Sequence, residues 1–109
     1  MKNKLSIKIK TLIDEDPAKE HSLQQLALQF HVSKATLMQQ FKTMYNTSIH
    51  QYVLQQRLQQ AALLLKETDD KISVIAHSCG FNSEKHFMTL FKRHFSMSPG
   101  VYRRLNSTI

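Results

Sequence analysis

With two glycines, two prolines and a single cysteine in 109 residues, the sequence has little of what tight turns, β-rich domains and covalent staples need. No run of Val or Ile alternates with polar residues, so nothing marks the strands of a sheet. Leu, Gln, Lys and Ala, which favour helices, are plentiful, and the chain reads as all-α. Cys79 has no partner for an internal disulfide, and its place in an apolar helical pattern suits a core position in a reducing compartment. No apolar stretch approaches the ~20 residues of a membrane span, and the basic N-terminus lacks a continuous apolar run before a cleavage site, so no membrane role and a cytoplasmic location are expected. At 41% apolar content, residues 1–109 are enough for one compact domain and too few for two ordinary ones.

Positive charge is what the chain has in excess: 15 Lys and Arg against 8 Asp and Glu, a formal +7. Residues 71–109 hold six basic residues and one acid, Glu84, whereas the first 70 are nearly balanced at nine and seven. Such an excess suits a polyanion, because each phosphate neutralised by a cation releases condensed counterions. A merely solvated basic surface would look the same, so motifs have to decide.

Apolar periodicity lays out the helices. Leu5, Ile9, Leu12 and Ile13 share one helical face, which Asp14-Glu15-Asp16-Pro17 should end. Ser22 and Gln25 read as a capping box opening a short helix with Leu26, Ala27 and Phe30 inside. After a tight turn at His31-Val32, Ser33 caps a helix with Leu37, Phe41 and Met44 inward, and Asn46 supplies a left-handed closing residue. A long helix capped by Thr47 or Ser48 runs to about Lys66, with Ile49, Tyr52, Val53, Ala61, Ala62 and Leu65 buried. Beyond Glu67-Thr68-Asp69-Asp70, Ile72, Ile75, Ala76 and Cys79 mark another short helix, ended at Gly80 where positive φ is wanted. Ser83 caps the next, with Phe87 and Phe91 inside. Ser98-Pro99 opens a terminal helix through Val101, Tyr102 and Leu105.

Part of this pattern occurs twice. Leu26-Ala27 pairs with Ile75-Ala76, Ser33 with Ser83, Leu37 with Phe87 and Phe41-Lys42 with Phe91-Lys92, at an offset of 49 and then 50 residues. Each copy is a short helix, a turn and a capped second helix, with a small Ala where the second helix crosses closely: helix-turn-helix grammar, used by DNA readers and by adaptor domains alike. The connecting helix of about 19 residues would span ~28 Å, against ~34 Å between consecutive major grooves on one face of B-DNA. One chain could thus present two recognition helices to one face of a duplex.

The stretch Gly80-Phe81-Asn82-Ser83-Glu84-Lys85-His86-Phe87-Met88-Thr89-Leu90-Phe91-Lys92-Arg93, followed by Ser98-Pro99-Gly100-Val101-Tyr102-Arg103, resembles the signature of AraC/XylS-type bacterial transcription regulators. Leu26-Ala27, Val32-Ser33, Leu37, Phe41-Lys42, Arg57-Leu58, Ala61 and Leu64-Leu65 fit as well, so the resemblance covers roughly residues 5–105. It implies seven helices in two helix-turn-helix lobes (5–46 and 71–105) joined by a linker helix (48–66). It also implies double-stranded DNA as partner, RNA polymerase as a contact in activation, no cofactor, and an N-terminal effector-binding and dimerisation domain in many members. Asn46 and Ser96 depart from the family's frequent Gly; Asn tolerates left-handed φ well and Ser less so, which singles out the turn at Ser96.

On the first recognition helix, 100° per residue turns Ala35, Gln39 and Lys42 away from the buried side, flanked by Thr36 and Met38, with Lys34 nearer the edge. The resemblance implies base contacts at Ala35, Met38 and Gln39, and Thr36 on the flank is counted with them as a base contact; Gln39 suits adenine, and Ala35 or Met38 a thymine methyl. On the second helix Lys85, Thr89, Lys92 and Arg93 face outward, and the family's base readers match Glu84, Lys85, His86 and Thr89. Glu84 either accepts from cytosine N4, holds Lys85 in place, or is simply solvated. Lys34, Lys42, Lys92 and Arg93 suit phosphate, as do the backbone N–H groups at the helix starts of Ser33 and Ser83. Arg57 reads as a structural hydrogen-bond donor, Tyr102 as core, and Arg103 and Arg104 as cations closing a helix C-terminus. The six histidines form no metal-ligand pair, and no phosphate-cradling loop, nucleophile motif or paired carboxylates suggest an enzyme. The alternative to sequence-specific DNA reading and transcription regulation is a helical protein-interaction module that tethers RNA polymerase or a sensor without reading bases.

Overall fold

The computed structural model describes residues 3–20 and 22–109, so His21 lies outside the described residues. Seven helices follow one another: α1 (Asn3–Glu15), α2 (Leu23–Gln29), α3 (Lys34–Tyr45), α4 (Ile49–Glu67), α5 (Ile72–Ser78), α6 (Glu84–Phe95) and α7 (Pro99–Asn106). There is no strand among the described residues, as the scarcity of turn and β-formers led us to expect. The chain divides into two compact units, Met1–Gln56 and Arg57–Ile109, with the boundary inside α4. No helix of the described residues is long and apolar enough to cross a membrane.

In the first unit the core gathers Ile9 and Ile13 of α1, Leu26 of α2, Leu37 and Phe41 of α3, and Ile49 and Tyr52 of α4. Met44, Phe30 and Val53, expected inside, are only half-buried. The Phe41 ring lies 4.8 Å from Tyr45 and 5.7 Å from Tyr52, centroid to centroid. A polar lock ties α1 to α4: Lys10 Nζ donates to Asp14 Oδ2 at 2.9 Å, and the Tyr52 hydroxyl donates to Asp14 Oδ1. The Lys10 ammonium also stands 5.6 Å from the centre of the Tyr52 ring, within cation–π range.

The second unit is built on Leu58, Ala61, Ala62 and Leu65 of α4, with Ile75, Ala76, Cys79, Phe81, Phe87 and Phe91 buried beside them. Phe81, Phe87 and Phe91 form a run of tilted rings at 5.0 and 5.6 Å, and Tyr102 of α7 meets Phe91 edge-on at 5.5 Å. Burial pushes the Cys79 thiol up from its ordinary value, which makes it an inert core residue. Leu105 departs from expectation: it is 65% exposed, in the last turn of the eight-residue α7.

Seven-residue helices such as α2 and α5 are far below the ~12–15 residues that an isolated helix needs, so their ends must be held. Both end in the same hydrogen-bonded closure. His31 N–H donates to Leu28 O at 3.3 Å and Val32 N–H to Ala27 O at 3.0 Å; the counterparts are Gly80 to His77 O at 3.1 Å and Phe81 to Ala76 O at 3.0 Å. This Schellman pattern demands a left-handed residue at the turn. Gly80 meets the demand at φ 93°, but the first copy places His31 there at φ 57°. The next helices also end alike, on left-handed Asn46 (φ 57°) and Ser96 (φ 62°), each donating N–H to the carbonyl four residues back at 2.8 Å. Ser96 thus adopts the conformation that glycine would have made easy.

Arginines knit the second unit. Arg57 Nη1 donates to Gly80 O at 3.2 Å, which makes it the structural donor that was expected. Arg103 does close a helix C-terminus, but that of α4 rather than its own: its guanidinium donates to Leu65 O and Thr68 O, both at 3.1 Å. Thr108 adds its N–H and hydroxyl to Lys66 O. Two of the last carbonyls of α4, those of Leu65 and Lys66, which have no partners within the helix, are therefore met from the segment around α7.

Two outcomes follow for stability. His31→Gly relieves left-handed strain at an exposed position and is expected to raise stability by about 1 kcal/mol, read by urea denaturation; a loss of stability would contradict the assignment. Lys10 is raised above its ordinary value by its hydrogen bond to Asp14 first, and Tyr52 by burial first and Asp14 next. Both folded groups hold protons that the unfolded chain releases sooner. Their contribution is therefore complete below about pH 10 and lost as pH rises through the raised folded values. The melting temperature should fall as pH rises above about 10, and Tyr52→Phe should make that fall shallower.

Candidate nucleic-acid interface

Local capping sets where each recognition helix begins. Ser33 Oγ accepts from the Thr36 N–H at 3.1 Å and donates to Thr36 Oγ1 at 2.9 Å. Ser83 Oγ accepts from the His86 N–H at 3.1 Å. In both cases the preceding N–H groups of the first turn point out of the helix start without intrahelical acceptors, which favours an anion there.

Packing then decides the outward side. Leu37 and Phe41 of α3, like Phe87 and Phe91 of α6, are fully buried. Of the residues expected to touch bases, Ala35, Met38, Gln39, Glu84, Lys85, His86 and Thr89 are exposed. Thr36 is the exception: it is half-buried and its hydroxyl is engaged by Ser33, so it serves the cap first. The expected phosphate contacts Ser33, Lys34, Lys42, Ser83, Lys92 and Arg93 are all exposed. Thr89 Oγ1 donates to Lys85 O at 3.1 Å, leaving its lone pairs outward. Glu84 forms no ion pair with Lys85 among the described residues. A carboxylate in the first turn of α6 and Lys92, Arg93 and His94 in its last also complement the helix dipole.

The structure brings part of this set together. Ala35, Met38, Gln39 and Lys42 line one hollow of about 480 Å³ with Leu23 of α2 and Ser48, Ile49 and His50 at the start of α4. Leu23, Ile49 and His50 were missed by sequence reasoning. Ser48 was legible as a cap, and its Oγ accepts from the Gln51 N–H at 3.1 Å, but nothing local says that α4 begins beside the outward face of α3. Another hollow of the first unit, about 280 Å³, is bordered by Glu15, Asp16 and Glu20 with Lys19 among them, a net negative lining that disfavours phosphate.

Comparison with known proteins agrees with this geometry. Residues 26–105 match the family described as "Helix-turn-helix domain". The HTH-type transcriptional regulator MtrA of Neisseria gonorrhoeae is 42% identical over 96 residues, covering 88% of this chain and 32% of that protein. The C-terminal domain of AraT, a response regulator from Geobacillus stearothermophilus, superposes with a TM-score of 0.90 at 25% identity, over 97% of this chain and 88% of that one. The DNA-binding domain of AdpA, a global transcriptional factor solved in complex with a target DNA, gives a TM-score of 0.84 at 25% identity, over 92% and 90% of the two chains. The chain spans about a third of the length of the regulators it matches in sequence.

Proposed function

The chain belongs to the AraC family of helix-turn-helix transcription regulators, and from that premise we propose that it binds double-stranded DNA through α3 and α6, each reading its own short block of major groove. The observation that carries this is the duplicated recognition unit: two helices of equal length, each started by a serine cap, anchored by a pair of buried large residues, and exposing its remaining face with cations beside it. Its relatives are regulators of transcription, not enzymes.

Ala35, Met38 and Gln39 read bases from α3, and Glu84, Lys85, His86 and Thr89 from α6; Thr36 supports the first set by holding the Ser33 cap. Lys34, Lys42, Lys92 and Arg93, with the helix starts at Ser33 and Ser83, hold phosphates and set the register without reading sequence. In the cell this reading places the domain in the cytoplasm, in contact with RNA polymerase at the promoters it regulates. Where such a domain is preceded by an N-terminal effector-binding and dimerisation domain, that domain would supply the signal; a stand-alone form would take it from elsewhere.

The test is selection from randomised duplexes at two salt concentrations. A motif of two short blocks, with affinity falling as salt rises, is expected; no binding even at low salt would shift the reading to a protein-interaction module. Point variants separate the two kinds of contact. Lys92→Ala should weaken binding to all sequences alike and lower the salt slope by about 1. Gln39→Ala should relax preference at one base position by about 1–3 kcal/mol. Uniform loss from both would refute the division between positioning and reading.

A further inference from the structure

We propose that the first unit reads its block mainly through the 5-methyl groups of thymine, received by the apolar hollow beside α3. This rests on the DNA reading above and specifies the chemistry of one half of it. The exposed side of α3 carries no carboxylate and no arginine. Gln39 is its hydrogen-bonding reader, and Ala35 and Met38 are apolar. Met38 leaves 46% of its surface in water, and with Ala35, Leu23 and Ile49 it gives the hollow of about 480 Å³ an apolar wall. A water molecule takes about 30 Å³ of liquid, so several methyl-sized groups fit.

On the major-groove edge of the four bases, the C5-methyl of thymine is the one apolar group. An apolar wall turned to that groove discriminates by burying methyls and by leaving the amino group of cytosine unpaired. Methionine suits the task because its flexible thioether follows a methyl whose position varies with local duplex shape. Lys42 on the same hollow and exposed Lys34 supply the charge that complements flanking phosphates. The second unit differs at the matching places: Lys85 stands for Ala35 and Thr89 for Gln39, so Met88, although exposed, lies between polar neighbours.

Replacing thymine by uracil removes only the methyl, which makes it the direct probe. With the selected duplex, each thymine is exchanged in turn for uracil and binding to the 109-residue chain is measured. Uracil at one or two positions of a single block should weaken binding about 3- to 5-fold per methyl. Met38→Ala should bind the thymine and uracil forms equally at those positions, while Met38→Leu keeps the difference. Indifference to uracil throughout a selected motif overturns the proposal and leaves DNA reading intact. Uracil sensitivity that survives Met38→Ala also overturns it, by assigning the methyl contact elsewhere. Failure to select any motif overturns the DNA reading itself, and this proposal with it.

Discussion

One backbone hydrogen bond in each unit governs what the unit presents to its surroundings. It runs from Val32 to the Ala27 carbonyl in the first and from Phe81 to the Ala76 carbonyl in the second, at 3.0 Å in both. It can form only if the residue before the donor turns left-handed, and that turn reverses the chain sharply enough for a second helix to start three residues on in the first unit and four in the second. The acceptor is alanine in both copies, and a larger side chain there would hold the helices apart. The first copy accepts a left-handed histidine to keep the geometry, which shows that the closure outweighs a local cost of order 1 kcal/mol.

Once the second helix is aimed, its buried residues fix the rest. Two large side chains four residues apart, Leu37 with Phe41 and Phe87 with Phe91, are sealed from water and allow only one rotation of the helix about its axis. The exposed residues are therefore a consequence of the core, and the chemistry they offer is independent of it. The two units use the same frame for different surfaces: an apolar hollow beside α3, and a charged, hydroxyl-bearing row on α6.

Much of this was legible before any coordinates. Helix order, the serine caps, the left-handed ends at Asn46 and Gly80, and the outward faces of α3 and α6 depend on interactions within four or five residues, which local sequence records. The structure resolved the question at Ser96 in favour of the same turn as Asn46. What sequence did not show depends on contacts between distant segments. Arg103 finds the carbonyls of Leu65 and Thr68 some 35 residues back; Asp14 meets Tyr52 from another helix; Ile49 and His50 border the hollow of α3. His31 was hidden for a different reason, since histidine carries none of the left-handed signal that glycine does. Periodicity also overstated burial at Leu105, which lies exposed in the last turn of α7.

The duplicated frame bears on how such a protein changes over generations. The outward side chains of α3 and α6 lie in water and contribute little to the core, so on the proposed reading a substitution there alters what is recognised without endangering the fold. Substitutions at Ala27, Ala76 or the capping serines do the reverse. Mutational tolerance is thus partitioned by residue, and if both helices read bases as proposed, either can drift toward a new target while the other preserves residual attachment to the old one.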